Sequence, residues 1–66
     1  MIKNLTELGE MISSRDSISI DDANRMIRLC AADMEAAFYN GDLGLAEEIL
    51  RNDLGLEPDY LDLFIY

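Results

Sequence analysis

The sequence predicts an all-α protein: a small three- to four-helix domain built on an antiparallel helical hairpin with a long central helix, with residues 1–66 forming one domain. Three observations lead there. Ile20, Ala23, Ile27, Cys30, Met34 and Ala37 follow one another at the a/d spacing of a helix seam. Each helical run opens on a capping residue, Asn4, Ser19 or Asp42, whose side-chain oxygen can take an otherwise unpaired N–H. Asn40-Gly41-Asp42 separates two of these runs, a turn short enough to fold them back on each other.

The first helix is expected from Leu5 to Ser14. Asn4 caps it, Glu7 stands in the capping-box position, and Leu5, Leu8, Met11 and Ile12 share one face. Ser13 to Ser17 reads as a loop. Ser19 with Asp22 then starts the central helix, Ile20 to Tyr39, with Asp21 and Asp22 at the positive end of its dipole. At 1.5 Å per residue that helix is about 30 Å long. Met26, Leu29, Ala31 and Phe38 widen its seam. Asp42 caps a third helix, Leu43 to Asp53, which ends at Gly55 with Leu56 beyond it as in a Schellman ending. Arg25 is placed to pair with Asp21, and Arg51 with Glu47. Pro58 suits the first position of a fourth helical turn. Residues 60–66 are read as helix, with a short extended segment as the alternative because Phe-Ile-Tyr favours strands.

A chain of this length gains roughly 3–5 kcal/mol from its core, and small folds usually add a staple. Cys30 is the only cysteine and there is no histidine. An internal disulfide is therefore excluded, and so is a zinc site of the usual four Cys or His ligands. Tight helix packing or self-association remains. Half the residues are apolar, more than a disordered acidic chain carries. The single cysteine, the absence of a signal-peptide-like stretch after Met1, and apolar runs no longer than Leu63 to Tyr66 give the expectation of a soluble, cytoplasmic protein without a membrane span.

Catalysis is not expected. The commonest general base is missing, and Cys30 falls on the helix seam, where a thiol is buried and inert. Asn52 to Glu57 is acidic with a glycine but lacks the calcium-loop spacing. Asp59 and Asp62 are explained by capping and solvation. No catalytic residue, metal site or cofactor is assigned.

The charge is lopsided. The first 32 residues carry five acids and four bases; the remaining 34 carry nine acids and only Arg51 as a base. All five aromatic residues, Phe38, Tyr39, Tyr60, Phe64 and Tyr66, lie in that acidic half. Direct nucleic-acid binding needs bases to neutralise phosphates, so five bases against fourteen acids exclude it. The expected partner is a protein with a basic surface. Asp33, Glu35, Asp42, Glu47 and Glu48 would steer it, and Tyr39, Tyr60 and Tyr66 would supply contact area. Such a face can also imitate a phosphate track. The alternative is a self-associating module, a homodimer paired through the central seam or the apolar tail.

Two resemblances accompany this reading. Ala36 to Leu50, with small residues before an aromatic, a Gly-Asp turn and Ala-x-x-x-Leu after it, resembles one helix–turn–helix unit of an ankyrin or tetratricopeptide repeat. It covers about a quarter of the chain and has no second copy, whereas solenoids need about three, so it implies only a helical hairpin. The acidic Glu47-Glu48 helix and the Asp53-Leu54-Gly55-Leu56-Glu57-Pro58-Asp59-Tyr60-Leu61 ending make the chain similar to small acidic accessory proteins of tailed bacteriophages. That resemblance implies binding and modulation of another protein and transfers no functional residue.

Overall fold

The computed structural model describes residues 2–65. They form helix α1 (Leu5–Asp16), helix α2 (Ile20–Tyr39), helix α3 (Leu43–Leu54) and a closing 3₁₀ helix (Pro58–Phe64), with no strand among the described residues. The class is all-α. The long axis of the molecule, 33 Å, is set by α2. No helix among the described residues is long and apolar enough to cross a membrane.

The predicted caps are made. The side-chain oxygens of Asn4, Ser19 and Asp42 accept the N–H groups of Glu7, Asp22 and Leu45 at 2.8, 3.0 and 3.1 Å. Glu7 reaches back as a capping box requires, but it accepts from Lys3 N–H at 3.1 Å and not from Asn4. The helix ends differ from expectation. The Schellman ending belongs to α2: Gly41 has φ +71°, its N–H bonds to Phe38 at 3.1 Å, and Asp42 N–H bonds to Ala37 at 2.8 Å. At α3, Gly55 makes the simpler left-handed cap, with one bond from its N–H to Arg51 at 2.9 Å.

Helix α1 runs two residues past its predicted end. Ser17 takes the left-handed conformation at φ +57°, a place usually given to glycine. Ile18 N–H then bonds to the Ser13 carbonyl at 3.1 Å, and Ser13 Oγ donates to the Ile18 carbonyl at 2.6 Å. Local bonding thus turns a serine-rich stretch into a helix end. The ion pairs also shift. Arg25 pairs with Asp22 at 2.8 Å instead of Asp21, and Arg51 forms no pair with Glu47. An exposed pair of that kind contributes only about 0.2–0.5 kcal/mol, too little to hold a long side chain in one rotamer.

Helix α2 is the spine. On its N-terminal half, α1 packs closely: a Cβ on Gly9 would run into the Asn24 side chain, with Ile27 beside it. On its C-terminal half, α3 returns antiparallel across the Gly41 turn. Between them they bury Ala23, Ile27, Cys30, Met34 and Ala37, while Ile20 stays exposed at the helix start. From Ala23 to Ala37 the seam is spent inside the monomer. Leu8 and Ile12 of α1 and Ala46, Leu50 and Leu54 of α3 complete the core.

The tail is helical, but with the tighter 3₁₀ winding. In that winding side chains three residues apart line up, and the sequence divides accordingly. Leu61 and Phe64 are buried, Tyr60 and Leu63 are half-buried, and Asp59, Asp62 and Ile65 are exposed. Of residues 60–65, Ile65 alone is extended, and Tyr66 lies outside the described residues.

Candidate functional site

The sequence-predicted site residues fall into separate places. Asp33 and Glu35 are two residues apart on α2, and such residues do not face each other on a helix. Asp33 lies on the flank beside Asp53 of α3. Glu35 lies on the other flank, with Arg28, Ala31, Ala32, Phe38 and Phe64 lining one open groove. Glu35 and Tyr39, one turn apart, also share a shallow neighbouring groove at the hairpin tip. Asp42 is exposed at the tip and holds the α3 cap. Glu48 is exposed on α3, and Glu47 is half-buried. Tyr60 stands apart in the tail, and Tyr66 lies outside the described residues.

Both ion pairs among the described residues, Arg15–Asp16 and Arg25–Asp22, belong to the N-terminal half. The acids of the C-terminal half therefore stand without a paired cation. Where two come together, one of them is perturbed. Asp53 is held above the ordinary carboxylate range, first by partial desolvation and then by hydrogen bonding to Asp33 and its negative charge. Burial pushes the Cys30 thiol up to about 11, with Asp53 and Asp33 adding to the shift. A thiol so placed is no nucleophile.

Asp53→Asn should stabilise the fold at neutral pH. A carboxyl whose folded pKa is raised adds stability below its unfolded pKa, near 3.9. That stability is lost as pH rises through the folded value. Above that window the variant should melt higher than the parent, and below it the two should converge. Asp53 also sits at the negative end of the α3 dipole. The gain is bounded at about 0.5 kcal/mol because the group is exposed and screened. Thermal melts from pH 3 to 7 measure it; a difference unchanged over that range would remove the Asp33–Asp53 repulsion as its cause.

One concavity, in the tail, gathers three carboxylates. Ile2, Tyr60 and Leu63 form its apolar floor, and Glu57, Asp59 and Asp62 stand around it, enclosing about 330 Å³. The 3₁₀ period builds it, since Tyr60 and Leu63 share one line of the helix and Asp59 and Asp62 the next. Sequence reasoning singled out Tyr60 alone. Asp59 and Asp62 were legible as a pair at equivalent positions, but Ile2 enters through a long-range approach that no local pattern announces. Among the described residues no three His, Cys, Asp or Glu side chains gather in a metal-binding group.

No family model matches the chain, and no curated protein or solved structure matches it.

Proposed function

We propose that the chain is a small non-enzymatic interaction protein that binds a protein partner with a basic surface through its acidic C-terminal half. The observation that supports this best is the tail socket: an apolar floor of Ile2, Tyr60 and Leu63 set among Glu57, Asp59 and Asp62 with no cation among them. Lysine and arginine have the complementary build, an apolar stem carrying a charged head. The stem would lie on Tyr60 and Leu63 while the head reaches the carboxylates. Asp33, Asp42, Glu47 and Glu48 lie on other faces of the same half and would steer the encounter without touching the bound side chain. Carboxylates spread over several faces suit one grip in a broad negative field better than imitation of a phosphate track.

A lysine-rich peptide titrated into isotope-labelled protein tests the reading. The expected result is chemical-shift change centred on residues 57–63, with affinity falling as salt rises, because the Debye length shrinks from about 10 Å at 0.1 M to about 3 Å at 1 M. The double variant Asp59→Asn/Asp62→Asn should weaken binding by about tenfold, or about 1.4 kcal/mol. Shifts scattered evenly over all the acids, or an affinity indifferent to that variant, would refute the socket.

A further inference from the structure

A larger groove lies elsewhere, along the outer side of α2, and shares no residue with the tail socket. It encloses about 470 Å³ and is floored by Ala31, Ala32, Phe38 and Phe64. Along α2 Arg28 stands at one end and Phe38 at the other, with Glu35 about one turn short of Phe38. Arg28 and Glu35 carry opposite charges. They are two helical turns apart, about 10 Å, and neither has an ion pair among the described residues.

The two charges are opposite in sign and equidistant from the small residues between them. The midpoint between Arg28 and Glu35 falls between Ala31 and Ala32, the smallest side chains of the strip. An isologous interface requires a surface that complements itself when turned by half a revolution. This one does. Turning the strip about the alanine pair carries Arg28 onto the place of Glu35, and Glu35 onto the place of Arg28. Small residues at the axis let two helix backbones approach, and a base and an acid at equal distances from it then meet their opposites.

We infer that this strip is the pairing surface of a homodimer. Two copies lie with their α2 helices antiparallel across a two-fold axis at Ala31 and Ala32, and Arg28 of each copy meets Glu35 of the other. Tyr39 lies one turn beyond Glu35 and is 90% exposed; in this pairing it comes level with Asn24 of the other copy. The charge distribution fixes the orientation. Antiparallel packing sets the nearly neutral N-terminal half of each copy against the acidic half of the other. Parallel packing would place Arg28 on Arg28 and bring the two strongly acidic halves together, where like charges repel. This interface does not use the buried seam, and it takes only Phe64 from the apolar tail that the sequence offered for self-association. It engages one helix face and the edge of the 3₁₀ segment, which places it in the small, weakly bound class below about 1,200 Å².

Sedimentation equilibrium over roughly 10 µM to 1 mM, where complexes of this class dissociate, tests the inference on the full chain. The parent should shift from monomer to dimer across that range. Arg28→Glu and Glu35→Arg should each weaken the dimer by about tenfold or more, because the axis repeats the pair and one substitution turns two attractions into repulsions. The combined variant Arg28→Glu/Glu35→Arg restores the complement and should recover dimerisation to within about threefold of the parent. Arg28, Ala32 and Glu35 are all exposed, so these changes leave the core untouched, and far-UV circular dichroism should confirm equal helicity. Ala32→Arg supplies a steric version of the same test and should abolish pairing. A parent monomeric at 1 mM would overturn the proposal and assign the groove to a different occupant. So would single variants that pair like the parent, a combined variant that stays monomeric, or an Ala32→Arg chain that still dimerises.

Discussion

Leu50→Ala is expected to leave the chain largely unfolded at 25 °C. Leu50 has no exposed surface and lies in the middle of α3, the helix that closes the C-terminal half of the core. Truncating a buried leucine costs about 2–5 kcal/mol, the spread depending on how far the site collapses. A chain of this size draws only roughly 3–5 kcal/mol from its core, so the loss approaches the whole. Nothing covalent resists it, because Cys30 is the sole cysteine. Urea denaturation followed by far-UV circular dichroism should show little or no folded baseline for the alanine variant. Leu50→Met, which nearly conserves volume, should cost less than about 1.5 kcal/mol and keep the transition. A Leu50→Ala chain with the parent's urea midpoint would mean that the helical hairpin is held by something other than this packing.

Phe64→Ala has an intrinsic cost of similar size, about 3–5 kcal/mol for a buried phenylalanine, but its effect should be local. Leu61 and Phe64 are the buried anchors of the 3₁₀ helix, with Tyr60 and Leu63 packed beside them, and that helix has no side-chain cap at its start. Its hydrogen bonds are also poorer than those of an α-helix. Releasing the segment costs less than dissolving α2 and α3, so the free-energy loss is limited to the cost of detachment. Amide hydrogen exchange should show residues 60–65 losing protection while the centre of α2 keeps most of its own. The tail socket should go with the segment, because Tyr60 and Leu63 are carried on it. Affinity for a lysine-rich peptide should therefore fall by at least about tenfold. Equal loss of protection throughout α2 would make the tail part of one cooperative unit and overturn the local account.

The contrast between these variants shows what was legible in the sequence. Helix α2 was, because its seam keeps one period from Ala23 to Ala37 and both its ends carry local signals, Ser19 and Gly41. The extension of α1 was not. It depends on Ser17 adopting a left-handed conformation that residue type alone assigns to glycine. The helical character of the tail is legible from Pro58 onward, but its 3₁₀ winding is not, since a short apolar run shows no period until something packs against it. The number of acids is legible in the sequence, but the faces they occupy are set by the packing. Asp33 and Glu35 are close in sequence and lie on opposite flanks of one helix. Asp33 and Asp53 are distant in sequence and adjacent in space, a relation that appears only once the register of α2 against α3 is known.

Each substantial packing in the molecule, α1 on α2, α2 on α3 and α3 on the 3₁₀ helix, joins neighbours along the chain. Few large loops must close before these surfaces meet, so assembly should be quick, in the microsecond to millisecond range typical of helical domains with low contact order. The same economy allows the chain to reform readily after transient opening, which suits a protein whose margin against unfolding is thin.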